Sequence, residues 1–260
     1  MASEDQTQDA YRGILNSVVA EDLQASEARL AKFMRDALIP DNELAENVSL
    51  FQTVRSLKRL LYLNELYRQI LLVHGVVMQF GVRWGRDLAA FDAFRTIYEP
   101  FNISRLVIGF DTFEGFPFVD PKDGAHKVMV EGGLSVTKGY VEELGGLLEV
   151  RRGLDPLPHL KRCALVQGDV TKTLPAYLRD HPETLVALVH FDLDLYVPTK
   201  ACLEVIEPNL TRGSIVAFDE LASGLAPGET EALRDAWGLG RYPIRRSALH
   251  SGQSSYIVIE

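Results

Sequence analysis

Two apolar segments of this chain end abruptly in carboxylates, and this feature limits the possible folds more than any other. The segments cover residues 189–191 and 215–218, and the acidic residues that follow them are Asp192, Asp194, Asp219 and Glu220. Short apolar runs separated by a helical segment are typical of neighbouring buried parallel strands. Because ligands bind outside the carboxyl ends of such strands, we expect the four side chains to meet in one crevice.

Four carboxylates in one crevice also predict a cation. Carboxylates repel one another unless a proton or a metal ion lies among them. Hard oxygen ligands at this density favour Mg²⁺ or a similar divalent ion. The sequence therefore predicts a metal site at the ends of these two strands.

The composition limits the partners of the protein. The chain has 260 residues, of which 47% are hydrophobic and 24% charged, which suits a globular α/β domain with an appendage. The net charge of -9 argues against nucleic acid as the main partner. The polar, acidic N-terminus lacks a signal core, and no apolar run reaches the ~18 residues of a membrane span, so we expect a soluble, cytoplasmic protein.

The order of elements predicts a parallel sheet covered by helices. Residues 1–74 read as helical, and we expect them to form a cap or an oligomerisation region. From residue 75 onward strands and helices alternate, with a long polar insertion at about 116–150 that we expect to bind substrate or act as a lid. The predicted strands cover residues 76–80, 106–110, 163–166, 185–191 and 214–218, and the predicted helices residues 86–98, 174–179, 199–210 and 229–237.

The chain closes with a predicted β-hairpin, with arms at residues 244–249 and 254–259. Five parallel strands and this hairpin give a seven-stranded, mostly parallel α/β sheet. A sheet that ends in an antiparallel strand resembles the class I S-adenosylmethionine methyltransferases. A nucleotide dehydrogenase would usually end in another parallel unit.

The first predicted strand runs into a glycine turn. The residues that we predict to contact a cofactor here are Gln79, Phe80, Gly81, Val82 and Arg83. Glycine at a strand-to-helix turn lets the backbone approach a ligand closely. The turn is not the GxGxxG fingerprint of dinucleotide-binding proteins.

The next two strands end in acidic residues that suit the rest of a nucleoside cofactor. Asp111, followed by Thr112 and Phe113, could accept hydrogen bonds from ribose hydroxyls, or it could cap the following turn. Asp169, between Gly168 and Val170, could bind an adenine amino group, or it could be a helix N-cap.

The chain resembles the macrocin O-methyltransferase (TylF-type) family, which comprises sugar O-methyltransferases that depend on S-adenosylmethionine and a divalent metal. The resemblance covers about residues 76–260 and lies mainly in residues 110–117 (FDTFEGFP) and 192–199 (DLDLYVPT). It implies that Gly81, Asp111 and Asp169 contact the cofactor, and that Asp192, Asp219 and Glu220 hold the metal. Two positions depart from the family pattern, because Gln79 and Glu220 stand where Glu and Asp are usual.

The resemblance also implies an acceptor and a base. Members that methylate nucleotide-activated deoxysugars such as TDP-rhamnose are the most similar, which predicts a rhamnose-like acceptor in antibiotic biosynthesis. Asp192 is predicted to contact the cofactor, and it is also the first candidate for a metal ligand that accepts the hydroxyl proton. Asp194 is the second candidate, and His190 the third, since alternation places it on the same strand face as Asp192.

Three alternatives remain open at this stage. A metal-dependent glycosyltransferase could use Asp192 and Asp194 as a DxD motif, although it would not need Asp219 and Glu220. A non-catalytic protein that binds S-adenosylmethionine is the second alternative, and a nicotinamide dehydrogenase the third. The helical N-terminus predicts a homo-oligomer, and the acceptor is expected to be a small sugar rather than a nucleic acid or a membrane.

Overall fold

The computed structural model describes residues 17–248 and 254–260. These residues form two compact units, of which one ends at Arg59 and the other begins at Leu60. The helices, in chain order, are α1 (Ser17–Arg35), α2 (Asp41–Leu44), α3 (Val54–Gln69), α4 (Arg86–Tyr98), α5 (Tyr140–Gly153), α6 (Val170–Asp180), α7 (Tyr196–Ile206) and α8 (Gly228–Ala236). Three 3-10 turns cover Val48–Phe51, Pro121–Asp123 and Glu207–Asn209.

Seven strands form one sheet in the second unit. They are β1 (Val76–Phe80), β2 (Val107–Asp111), β3 (Cys163–Gln167), β4 (Val186–Phe191), β5 (Leu210–Phe218), β6 (Arg245–Arg246) and β7 (Ser255–Val258). The order across the sheet is β3-β2-β1-β4-β5-β7-β6. Strands β1 to β5 are parallel, and β7 runs antiparallel to both β5 and β6. The predicted sheet and its closing antiparallel pair are confirmed, while the turn of the hairpin lies outside the described residues.

The sheet is buried on both faces, as its continuous apolar strands predict. Side chains that alternate along β1 enter different cores: Met78 and Phe80 join one, and Val77 joins the other. Helices α6, α7 and α8 cover the first core, and helices α3 and α4 cover the second. This packing fixes the strand ends, and so it fixes the loops that follow them.

Helix α3 confirms the expectation of helix in the N-terminal region. Its residues Tyr62, Leu63 and Leu66 are fully buried in the second unit. Leu50, which precedes α3, and Val54, its first residue, are mostly exposed instead, with 65% and 73% of their surface accessible. No helix within the described ranges is both long enough and apolar enough to span a bilayer.

Three predicted boundaries are wrong for identifiable reasons. The helix predicted at 199–210 ends at Ile206, because Pro208 cannot donate to a helical hydrogen bond. Strand β5 begins at Leu210 rather than at 214, since its polar first residues hide the strand signal. Helix α6 begins at Val170 rather than at 174, because Asp169 caps it.

Candidate active site

The glycine turn after β1 lies directly against the acidic loop after β4. Gly81 has φ +86°, and a Cβ built on it would lie 1.8 Å from the backbone oxygen of Asp192. The Asp192 N–H donates to the Phe80 oxygen at 2.8 Å. The two loops therefore form one continuous surface at the centre of the sheet, and only glycine fits at position 81.

Asp111 at the end of β2 organises this turn. One of its carboxylate oxygens accepts hydrogen bonds from the N–H groups of Val82 and Arg83, at 2.6 and 2.8 Å. The other accepts from the Phe113 N–H at 2.6 Å. Arg83 and Phe113 both adopt positive φ, an uncommon conformation that these hydrogen bonds hold.

The other predicted cofactor residues surround the same turn. Gln79 is buried, and its Nε2 donates to the Gly81 oxygen at 2.8 Å, whereas no hydrogen-bond partner is recorded for its Oε1. Thr112 Oγ1 donates to the Gly115 oxygen at 2.8 Å and closes the turn after β2. Gln79 Oε1 is thus a buried acceptor next to the turn whose hydrogen-bonding capacity is not used by the described residues.

At the end of β3, the structure has the helix cap that the sequence left as an alternative. The Asp169 carboxylate accepts from the N–H and the hydroxyl of Thr171, at 3.0 and 2.7 Å. Burial raises the pKa of Asp169. The hydrogen bonds from Thr171 and the charge of Lys172 lower it by more, so the pKa lies below its ordinary value. Gly168 donates its N–H to the Asp111 oxygen at 2.8 Å, and Val170 starts α6 within the core. A contact from Asp169 to adenine stays a prediction.

The loops after β4 and β5 bring Asp194, Asp219 and Glu220 together with a fourth acid, Glu229 of α8. Asp194 and Glu220 share a hydrogen bond. Asp219 Oδ1 accepts from Ser254 Oγ at 2.7 Å, so the residue before β7 orients it. Glu229 is fully buried and accepts from the backbone N–H groups of both loops.

Burial and mutual repulsion favour protons on this acidic group. Burial raises the pKa of Glu229 to about 8, and the charges of Asp194 and Asp219 add to the shift. Burial, followed by the hydrogen bond and charge of Asp194, raises the pKa of Glu220. Burial also raises the pKa of Asp194. Carboxylates so arranged share protons until a cation replaces them, and an all-oxygen donor set fits Mg²⁺.

Asp192 itself belongs to a second cluster of possible metal ligands, together with Asp87 and His190. Each of the three side chains offers one ligand atom, and these atoms lie within 4.8 Å of one another. His190 is fully buried on β4, with its ring 5.9 Å from that of Phe91. Asp87 is buried in α4 and bonds to Arg86 at 2.7 Å. The predicted roles of Asp192 and His190, and the metal set of Asp192, Asp219 and Glu220, stay predictions.

The insertion predicted at about 116–150 contacts both sides of the site. Asp123 accepts a hydrogen bond from the Tyr196 N–H at 2.5 Å, at the start of α7. Tyr140 Oη donates to the Trp84 oxygen at 2.9 Å, and the two rings meet edge to face at 4.8 Å. The insertion therefore adjoins the glycine turn at one end and the acidic loop at the other.

Sequence reasoning missed Glu229 and Asp87 in this region. Glu229 was predicted as the first residue of a helix, and Asp87 as part of the helix after the glycine turn. The available signal was their position, since each is an acid in the first turn of a helix that follows a strand end. Their burial depends on loops elsewhere in the chain, which no local pattern specifies.

The fold and the site together define a class I methyltransferase, with a 3-2-1-4-5-7-6 sheet and a glycine turn at its centre. The chain is similar to the solved structure of CalS11, a calicheamicin methyltransferase, with 42% identity, coverage of 95% of this chain and 96% of that chain, and a TM-score of 0.90. An apo structure of CalS11, described as a TDP-rhamnose 3'-O-methyltransferase of calicheamicin biosynthesis, matches at 41% identity, 90% and 93% coverage, and a TM-score of 0.79.

A third structure, the O-methyltransferase NovP, shares the fold at 20% identity, 78% and 79% coverage, and a TM-score of 0.59. No family model and no curated protein matched the chain. The two CalS11 comparisons nevertheless span nearly the whole of both chains, and the chain belongs to the TylF-type sugar O-methyltransferase family. It is an S-adenosylmethionine-dependent O-methyltransferase, and the glycosyltransferase and dehydrogenase alternatives do not hold.

Proposed function

We propose that the protein transfers a methyl group from S-adenosylmethionine to a hydroxyl of a rhamnose-like deoxysugar, with the help of Mg²⁺, in the biosynthesis of a natural product such as an antibiotic. The observation that carries this proposal is the direct contact between the Gly81 turn and the Asp192 backbone. A methyl donor in the turn would lie beside an acceptor held at the acidic loop. That adjacency is what in-line transfer requires.

The cofactor would bind around the turn. Asp111 holds the backbone of Val82 and Arg83, so the turn is already organised before a ligand enters. The buried Gln79 Oε1 suits an ammonium group, which the methionine part of the cofactor carries. Asp111 would accept from the ribose and Asp169 from adenine, as the family pattern implies. Bound S-adenosylmethionine supplies the electrophilic methyl group.

The metal would bind at the acidic loops. Asp192, Asp219 and Glu220 are the proposed ligands, because their oxygen donors suit Mg²⁺ and the family pattern uses these positions. A Mg²⁺ ion held there would act as a Lewis acid on the acceptor hydroxyl. Asp219 is oriented by Ser254, which limits the directions from which its carboxylate can coordinate.

A sugar hydroxyl must lose its proton as the methyl group arrives. We assign that proton to the Asp192 carboxylate, whose loop contacts the cofactor turn, with Asp194 as the alternative base. His190 is fully buried, so it would act through Asp192 rather than on the acceptor directly. A general base of this kind contributes roughly 10²–10⁴-fold to the rate.

The acceptor is proposed from similarity together with the surroundings of the site. CalS11, at 41% identity, is described as acting on TDP-rhamnose. The insertion adjoins both the glycine turn and the start of α7, and these contacts support the proposal that it covers an acceptor as a lid. We therefore propose a nucleotide-linked deoxysugar as the first acceptor to test, and a finished rhamnosyl glycoside as the second.

Binding and turnover test this function together. Titration calorimetry with S-adenosylhomocysteine should give micromolar affinity, and Asp111→Ala should lose it because both the ribose acceptor and the turn are removed. Asp180→Ala, which removes an equally negative but exposed side chain, should bind as the wild type does. Methyl transfer should then be assayed with TDP-rhamnose and with a rhamnosyl glycoside, each with Mg²⁺ or with EDTA.

Each arm can contradict a separate part of the proposal. Absence of S-adenosylhomocysteine binding would overturn the cofactor assignment. Equal turnover in Mg²⁺ and in EDTA would overturn the metal, and turnover of neither sugar would overturn the acceptor class.

A further inference from the structure

Glu229 is a fully buried acid that joins the two loops of the candidate metal site. It lies in the first turn of α8 (Gly228–Ala236). Its Oε1 accepts a hydrogen bond from the Leu193 N–H at 3.3 Å, in the loop after β4. Its Oε2 accepts from the Glu220 N–H at 3.1 Å, in the loop after β5. One side chain thus connects the backbones of two loops whose strands are neighbours in the sheet.

The start of α8 is seated too tightly for Glu229 to shift. A Cβ built on Gly228 would lie 2.5 Å from the Asp194 oxygen and 2.7 Å from the Tyr196 nitrogen. On the other side, the Ala222 N–H donates to Thr230 Oγ1 at 2.8 Å. The helix therefore contacts the loop after β4 and the loop after β5 at once, with Glu229 between them.

Both loops contain a residue in an unfavourable backbone conformation. Asp194 and Ala222 each have φ +61°, which non-glycine residues adopt only when their surroundings hold them there. Asp194 follows Leu193 by one residue, and Ala222 follows Glu220 by two. The bridge through Glu229 is well placed to hold both conformations.

A carboxyl side chain at this position matches the two backbone N–H groups that it joins. A tie between two N–H groups inside a protein needs two acceptors, and a neutral Gln provides only one. A carboxyl group has two oxygens, and each of them accepts one of these hydrogen bonds.

We propose that Glu229 is a positioning residue that sets the spacing between the Asp192–Asp194 loop and the Asp219–Glu220 loop, and thereby the geometry in which they hold a divalent cation. This inference rests on the proposed metal-dependent function. Glu229 is fully buried, so its effect passes through the backbone of Leu193 and Glu220. Residues that orient metal ligands in this way affect metal affinity by about 10–100-fold when substituted.

The first test needs no metal and no substrate. Glu229→Gln keeps the size of the side chain but turns one acceptor into a donor that faces an N–H group. Amide exchange of Leu193 and Glu220 should be at least about tenfold faster in this variant, because one of the two hydrogen bonds is lost. Glu231→Gln, which removes a partly exposed acid from the same helix, should leave both amides as in the wild type.

The second test uses the complete enzyme with its cofactor. The Mg²⁺ concentration for half-maximal activity should rise by about 10–100-fold in Glu229→Gln, while the KM for S-adenosylmethionine stays unchanged. Glu229→Asp keeps the carboxyl group but is one methylene too short to reach both N–H groups. It should therefore behave as Glu229→Gln does, and it also provides a second variant if Glu229→Gln does not fold.

The outcomes separate this inference from the proposed function. Wild-type exchange at Leu193 and Glu220 in both variants would overturn the positioning role, even if the enzyme proves Mg²⁺-dependent. Wild-type Mg²⁺ dependence in Glu229→Asp would also overturn it, since the carboxyl group rather than its reach to both loops would then matter. A wild-type enzyme that ignores Mg²⁺, with faster exchange in the variants, would contradict the metal but leave the bridge between the loops intact.

Discussion

Gly81 is the residue at which the cofactor turn and the acidic loop come closest. We expect Gly81→Ala to weaken S-adenosylhomocysteine binding and to lower the rate of methyl transfer by about 100-fold, because a displacement of roughly 1 Å at a reacting site costs that much in rate. The new Cβ would lie 1.8 Å from the Asp192 oxygen, so one of the two loops must move. Calorimetric titration of the variant measures the change.

Gly139→Ala is the matched control for this substitution. Gly139 has φ +83°, so it carries the same conformational penalty of about 1–2 kcal/mol, but a Cβ there would meet nothing within 4 Å. In urea unfolding, the Gly139→Ala variant should be about 1–2 kcal/mol less stable than the wild type. It should bind S-adenosylhomocysteine with wild-type affinity. Wild-type affinity in Gly81→Ala would contradict the contact between the loops.

Single residues of the site differ in how far the sequence could predict them. Gly81 and Asp111 stand at the ends of recognisable strands, and the structure places both at one turn, joined through Val82. Glu229 could not be predicted, because its hydrogen bonds reach Leu193 and Glu220, from which it is 36 and 9 residues distant. Its role depends on which strands are neighbours, and local sequence does not contain that information.

Among the elements, helix α5 was missed and its partner α4 was predicted correctly. Gly145, Gly146 and Gly153 give α5 the composition of a loop, because glycine has the lowest helix propensity apart from proline. The helix forms because tertiary contacts favour it. Leu144 is buried against the second core, and the Arg151 guanidinium donates to the Ala89 oxygen of α4 at 2.8 Å.

The segment between α5 and β3 is tied to α4 by a buried ion-pair network. Asp155 bonds to Arg95 and Arg162, whose side chains are each 2% exposed. Burial works against ionisation, but the Leu157 N–H and the two guanidinium groups lower the pKa of Asp155 to about 2. The folded protein therefore strongly prefers the ionised form of this carboxyl.

Asp155→Asn should lower the free energy of unfolding by about 3–5 kcal/mol at pH 7, because it leaves two buried guanidinium groups without their shared anion. In the wild type, the stabilisation from the lowered pKa is about 2 kcal/mol. It is fully present above pH 4 and is lost as the pH falls through about 2, since the unfolded chain takes up the proton first.

Urea unfolding of the wild type and Asp155→Asn between pH 7 and pH 3 checks this expectation, and the difference between them should begin to shrink below pH 4. Asp180→Asn removes an exposed pair with Arg179 and should cost less than about 0.5 kcal/mol at every pH. A difference between wild type and Asp155→Asn that stays constant down to pH 3 would contradict the network.

At the scale of the whole molecule, the sheet was predictable because its five parallel strands are nearly continuous apolar runs. Phe80, Phe191 and Phe218 come at the ends of three of these strands and pack on one another, with ring centroids 5.1 Å apart in each contact. The N-terminal unit was predictable only as helical. Many of its apolar residues are exposed rather than buried. The sequence pattern therefore predicted the helices but not what their apolar residues contact.

We propose that the exposed apolar residues of the first unit pair with another copy of the chain. Phe33, Leu38, Leu50 and Val54 are each at least 65% exposed, and exposed apolar groups of this extent are typical of interaction surfaces. Light scattering of the full chain should therefore give at least a dimer. Residues 48–260 alone, which lack Phe33 and Leu38, should give a smaller assembly.

The same fragment should bind S-adenosylhomocysteine with the affinity of the full chain, since every proposed cofactor residue lies beyond Leu60. A monomeric full chain would overturn the oligomer. Loss of ligand binding in a folded fragment would contradict the independence of the second unit.

The central pairing of the sheet has a consequence for synthesis on the ribosome. Strand β1 pairs with β4, whose first paired residue, Val186, is made about 110 residues after Val76. The ribosome adds roughly 5–20 residues per second, so β1 waits on the order of 5–20 s for that partner. Strands β2 and β3 are both made before β4 emerges. During this interval the half-built sheet presents an apolar edge with unpaired backbone groups, which is the kind of edge on which chains aggregate. The yield of folded enzyme therefore depends on how well this one edge is shielded until β4 emerges.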